Sequence, residues 1–238
     1  MEIKILDSAE FQSLLDALAS ELVEANIHFK LYADLTGAIS EYQEEYNQST
    51  AFWSLTLQAH LDAAVFRLCK IYDQHTNTLN LRNLLDTIKA NISVFDTEDF
   101  RQRLKGNPFV ESLSDESRKP DEKQLEIDLV YVSEENPLVK NLIVLRNNFF
   151  AHRSAKNAIT KRNLAEDYPL TIKNVEELLV DGMRLINRYS SLFRASTYST
   201  NMVGRDDFQF VLKSIREHLA LIEQRIEEER KRWERGAS

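Results

Sequence analysis

The 238-residue chain is poor in the residues that punctuate structure, with five glycines, four prolines and one cysteine. So little Gly and Pro argues against a many-stranded β fold, whose turns need them. It argues equally against Gly-rich loops that cradle nucleotide phosphates. A lone cysteine, Cys69, excludes an intramolecular disulfide and a multi-cysteine structural zinc site, and its setting in LDAAVFRLCKIYD reads as a buried apolar position. No window reaches about 18 consecutive apolar residues, so no membrane span is expected. The N-terminal MEIKILDSAEF lacks the apolar run of a signal peptide, and the chain reads as a soluble, cytoplasmic protein. Base is not in excess: 30 Lys and Arg stand against 38 Asp and Glu, a net charge of −8. Taken whole, that is not the footprint of a nucleic-acid binder. GxGxxG, a phosphate loop ending in Gly-Lys-Ser/Thr, HExxH and GxSxG are all missing. Of the histidines His28, His60, His75, His152 and His218, no two share a helical turn, so a His-based metal site needs partners assembled by folding. No Glu stands three residues before His28, His60 or His218, as a di-iron bundle would need. No metal and no other cofactor is expected.

What the chain does have is helical periodicity. Phe11, Leu14, Leu15, Leu18, Leu22, Phe29 and Leu35 form a stripe within a helix expected from Ser8 to about Tyr46. A second helix is expected over Thr50–Tyr72, burying Phe52, Leu55, Ala59, Ala63, Phe66 and Ile71. The polar turn DQHTNTLN (73–80) follows, then short helices over Leu81–Ala90 and near Glu98–Lys105. Lys105–Lys123 holds half the prolines with clustered charge, and a surface loop or insertion is expected around residues 105–135. Further helices are expected from about Asn136 through LVKNLIVLRNNFFAHRS, over Ile172–Phe193, and over Arg205–Arg235. In the last, Phe208, Ile215 and Ile222 alternate with Leu212, Leu219, Ile226 and Trp233 at heptad spacing. That seam suits either packing within the chain's own bundle or a coiled coil with a partner. The expected division is a helical domain over residues 1–204 and a charged heptad helix over 205–238.

Charge is uneven along the chain. From Leu138 to Asn163 there are six bases, Lys140, Arg146, Arg153, Lys156, Lys161 and Arg162, and no acid, which leaves −14 on the remainder. A basic island in an acidic chain is a local footprint for an anion, with a phosphate backbone the obvious candidate; a solvated charge run is the plainer alternative. Inside it lies Arg146-Asn147-Asn148-Phe149-Phe150-Ala151-His152. On an ideal helix Arg146 and His152 stand roughly 120° apart in projection, so they converge only if the last turn loosens. Asn147 lies between them, placed to orient either side chain.

This heptapeptide resembles the Arg-x(4–6)-His motif of the HEPN superfamily. AFWSLTLQAHLDAAVFRLCKIYDQHTNTLNLRNLLDTI (51–88) is similar to the helix, Asp-ending turn and Leu-rich helix of its abortive-infection, AbiU-like branch. The resemblance covers about Leu14 to Phe193. It implies an all-α, antiparallel HEPN-like bundle, here with extra-long N- and C-terminal helices, and metal-independent cleavage of RNA through attack by the ribose 2′-OH. His152 would serve acid–base chemistry, Arg146 the phosphate and Asn147 their orientation. Lys140, Arg153, Lys156, Lys161 and Arg162 would hold RNA. Arg67 and Asp73 are supporting candidates only, for which a surface or inter-helix ion pair is the plainer reading. The resemblance also implies a homodimer with a composite site, in phage defence or opposite an antitoxin protein. Tyr two residues after the His, a modification site in some toxin branches, is here Ser154. The competing class is a non-catalytic helical interaction module. The nuclease reading requires two copies of Arg146 and His152 to line one solvent-open basic cleft across a two-fold axis; it fails if either side chain is buried in an internal salt bridge.

Overall fold

A computed structural model of the protein describes residues 2–114, 117–150 and 164–236, and no strand occurs among them. The helices are α1 (Ser8–Ala38), α2 (Gln43–Asn47), α3 (Thr50–Ile71), α4 (Leu81–Ala90), α5 (Thr97–Arg103), α6 (Val110–Ser114), α7 (Glu122–Tyr131), α8 (Pro137–Leu145), α9 (Leu164–Asp167), α10 (Ile172–Arg194) and α11 (Phe208–Gly236). A 3-10 turn spans Ile92–Phe95, and a π-helical turn, Arg146–Phe150, continues α8. The fold is all-α, with long first and last helices of 31 and 29 residues.

Helices start where side chains can satisfy the first free N–H groups. Asp7 accepts from the backbone of Ala9 and Glu10 at the head of α1, Asn80 from Asn83 at α4, and Asp121 from Gln124 at α7. Thr171 and Asn174 close a reciprocal capping box on α10. Each such cap is worth about 1 kcal/mol.

The chain forms two compact units, one from the described residues of 1–27 and 63–200, the other from those of 28–62 and 201–238. In the first unit, Phe11, Phe95 and Phe193 meet edge to face, with ring centroids 4.9–5.8 Å apart. Leu15, Leu18, Leu22, Leu68, Ile71, Leu84, Leu142 and Leu178 complete a buried core. Gly182 of α10 has its Cα hydrogen side against Leu22 and Tyr72, where a Cβ would come within 2.9 Å of Leu22 Cδ2. In the second unit, Leu35, Tyr42, Tyr46, Trp53 and Leu212 form a smaller core, with Phe208 and Ile215 packed against it. The Tyr46 hydroxyl donates to the Leu35 carbonyl at 2.7 Å. The C-terminal helix therefore shares a unit with residues 28–62. Its heptad seam is buried within the chain only near Leu212. Farther along, Ile226 is 60% and Trp233 80% exposed.

Three local expectations need correction. The segment around residues 105–135 is not a plain loop: it carries α6 and α7, the latter capped by Asp121. Pro120 lies just before that cap, so it does not interrupt the helix. The first helix stops at Ala38 rather than near Tyr46, its end tightening into the bond from Ile39 N–H to the Thr36 carbonyl. On α3, the expected stripe is largely outward, Phe52 being 60% and Leu55 71% exposed, and Phe66 is exposed as well. The buried face is Trp53, Ala64, Val65, Leu68, Cys69 and Ile71. This helix is apolar on more than half its circumference, so periodicity alone admits either stripe.

Candidate active site around Arg146

Asn136 caps α8 by accepting from Leu138 N–H at 3.0 Å, and Pro137 occupies the first helical turn, where no amide hydrogen is needed. Val139 and Leu142 are fully buried and fix the helix in the first unit, while Lys140 faces solvent. At Arg146 the backbone widens into the π turn, an uncommon form that often marks functional positions. The π turn covers Arg146–Phe150, the first five residues of the motif, and His152 lies outside the described residues.

The Arg146 guanidinium is held from two sides. Nη1 pairs with the Asp73 carboxylate, and Nε donates to Asn147 Oδ1 at 3.0 Å. Asn147 thus contacts the guanidinium at Nε. Asp73 stands just beyond α3, at the start of the polar turn. It accepts from the backbone of Gln74 and His75 at 2.8 and 3.2 Å and from the Thr78 hydroxyl at 3.2 Å. The turn is itself tied down, since the buried Asn83 donates to the carbonyls of His75, Thr76 and Thr78. Burial works to raise the Asp73 carboxyl. The hydrogen bond and charge of Arg146, with the two backbone N–H groups, outweigh it and hold the group below its ordinary range.

Arg146 is therefore not an open cation. Its side chain is 23% and that of Asp73 15% exposed, so the pair is half-buried and one of the island's six charges is locally cancelled. The expectation of a solvent-open Arg146 does not hold. The cause is the Asp73 carboxylate, which lies 73 positions away in sequence. A guanidinium carries five donors, so the fork retains capacity for an oxyanion beside its carboxylate.

Of the two supporting candidates, Asp73 joins the motif and Arg67 does not. Arg67 bridges Glu21 and Glu24 of α1, and Lys70 pairs with Glu21 at 2.7 Å. Cys69 is buried, as expected, and burial pushes its thiol up to about 12, against the pull of the Arg146 charge. His152, Arg153, Lys156, Lys161 and Arg162 lie outside the described residues. In the second unit, folding does bring two histidines together: His28 Nδ1 and His60 Nδ1 are 2.9 Å apart. Among the described residues, no group of three or more His, Cys, Asp or Glu side chains is placed to hold a metal ion. No described helix is long and apolar enough to cross a membrane.

The model of one protein family, HEPN_AbiU2, described as AbiU2, matches residues 8–210. No curated protein and no solved structure gave a match.

Proposed function

The chain belongs to the HEPN_AbiU2 family, and from that membership we propose that it is a metal-independent endoribonuclease acting in phage defence, of the abortive-infection or toxin–antitoxin kind. What supports this reading is the family match over residues 8–210 together with Arg146 and His152 at the motif spacing, Arg146 standing at the π turn that continues α8.

In this reading His152 takes the proton from a ribose 2′-OH. The freed oxygen attacks the adjacent phosphorus, the bond from phosphorus to the 5′ oxygen breaks, and that oxygen leaves with a proton supplied by an acid. The products are a 2′,3′-cyclic phosphate and a 5′-OH. Imidazole titrates near neutral pH and suits both transfers, a contribution of about 10²–10⁴-fold. Arg146 places forked donors on the non-bridging oxygens, where charge builds as phosphorus becomes five-coordinate. Asp73 stays clear of the scissile phosphate; it holds the guanidinium in one orientation, and Asn147 holds it at Nε. Lys140, Arg153, Lys156, Lys161 and Arg162 supply the charge that retains the RNA backbone. One Arg and one His make a thin constellation, and a homodimer that brings two copies together furnishes the separate acid and base. An antitoxin protein is the partner such a nuclease calls for.

A second reading is favoured by one specific observation. Arg146 is half-buried in an internal ion pair, as a purely structural residue of a non-catalytic interaction module would be. Incubating the pure protein with RNA in the presence of a chelator separates the two. Cleavage by the wild type that is lost in both Arg146→Ala and His152→Ala supports the nuclease; intact RNA under all conditions supports the module.

A further inference from the structure

The first unit contains a cleft beside Asp73 for which the proton transfers above give no role. Its volume is about 410 Å³, within the range of ligand pockets. Half-buried Leu79 and exposed Ala17 give it an apolar lining, with Leu18 and Ile71 buried beneath. Two polar pairs border it: Glu21 with Lys70, and Asp73 with Thr78. Asp73 thus lines the cleft with the same carboxylate that grips Arg146.

Resting on the nuclease reading, we propose that this cleft receives a nucleobase next to the scissile phosphate, and that it prefers a base with an exocyclic amine (adenine, cytosine or guanine) over uracil. The apolar lining suits the face of a flat ring, and the polar border suits its edge. An ionised carboxylate only accepts hydrogen bonds. Both border carboxylates are held ionised. At Glu21, as at Asp73, burial opposes the charge but cations outweigh it, here Lys70 and Arg67 at 2.7 Å each. An exocyclic amine offers two N–H donors to such a border, whereas uracil offers only N3–H, flanked by two carbonyl oxygens that the carboxylates repel. Because one carboxylate separates the cleft from the Arg146 guanidinium, a base seated here carries its own phosphate toward the cation. RNA and free nucleotides share this chemistry, so the test includes both.

The test uses the full chain carrying His152→Ala, so that RNA persists. Fluorescein-labelled pentamers of A, C and U are titrated and followed by anisotropy, with AMP as a competitor. The same titrations are repeated with Ala17→Phe added. Ala17 lines the cleft, is solvent-exposed on α1 and makes no contact with the motif pair, so a ring there fills the cleft without entering the core. The A and C pentamers are expected to bind about tenfold more tightly than the U pentamer, the effect of one charge-assisted hydrogen bond. Ala17→Phe should erase that difference and leave binding of the U pentamer unchanged. Equal binding of all three pentamers, or a preference that survives Ala17→Phe, overturns the base subsite while RNA binding stands. AMP displacing the A pentamer at equal concentration overturns the assignment to RNA in favour of free nucleotide. Failure to bind any pentamer overturns the nuclease reading along with the subsite.

Discussion

Replacing Asp73 with Asn removes one charge from the site and little else. The amide keeps the carboxylate's shape, and its Oδ1 still accepts from the backbone of Gln74 and His75, so the turn that carries it persists. Arg146 is left half-buried opposite a neutral partner. Exposed ion pairs contribute about 0–1 kcal/mol, and breaking a fully buried one costs about 3–5 kcal/mol. With side chains 23% and 15% exposed, the Arg146–Asp73 pair falls between these limits, and a loss of about 2 kcal/mol is expected. Urea unfolding followed by circular dichroism measures it, and pH gives the effect a signature. The folded Asp73 carboxyl titrates below its ordinary value of 3.8. The pair's stabilisation is therefore complete above that value and is lost as pH falls through the lower, folded one. The gap between wild type and Asp73→Asn should be constant from about pH 7 to about pH 5 and should close in stronger acid. RNA cleavage should slow about 10²-fold at neutral pH, as expected for a misplaced transition-state donor. A gap below about 0.5 kcal/mol at neutral pH, or one that persists in strong acid, refutes the assignment of this pair.

Four further substitutions probe the fold. Gly182→Ala forces a Cβ to within 2.9 Å of Leu22 Cδ2 and 3.3 Å of the Tyr72 hydroxyl, and should cost about 1–3 kcal/mol in urea unfolding; wild-type stability would mean that α10 and α1 pack less closely. Asp128→Ala strips a buried carboxylate that accepts from Tyr189 at 2.7 Å and Gln124 at 2.9 Å and pairs with Arg188, and should cost about 3–5 kcal/mol. The solvent-exposed Arg230→Ala, scored in the same denaturant series, should cost under about 1 kcal/mol, so equal losses would refute the distinction. Ala195 ends α10 with a positive φ of 51°, so Ala195→Gly should raise the thermal midpoint, gaining about 0.5–1 kcal/mol once the greater freedom of unfolded glycine is subtracted; a lowered midpoint contradicts this.

Much of the architecture is local and hence readable. Scarcity of Gly and Pro and the spacing of Phe11, Leu15, Leu18 and Leu22 point to helices, and the starts expected at Ser8, about Asn136 and Ile172 fall where the structure caps three of them. Spacing failed where a helix offers two apolar faces. On α3 it named Phe52 and Leu55 and passed over Trp53 and Leu68, because the choice belongs to the elements packed around the helix. It failed again between residues 105 and 123, where charge and proline mimic a loop around the short α6. The site divides in the same way. Arg146 and Asn147 are adjacent, and their contact follows from that adjacency. Asp73, in the turn after α3, and Arg146, at the end of α8, are 73 positions apart, and no periodicity relates them. Only the tertiary fold turns a candidate cation into a carboxylate-held guanidinium.

The central claim is that Arg146 and His152 cut RNA with the help of its own 2′-OH. Its most direct test is single-turnover cleavage of one defined RNA in chelator, with the product ends mapped. Wild type should leave a 2′,3′-cyclic phosphate and a 5′-OH. A substrate carrying 2′-deoxy at the cut position should survive, and His152→Ala should be slower by at least about 10². Cleavage of the deoxy substrate, 3′-OH product ends, or equal rates for wild type and His152→Ala would contradict the account.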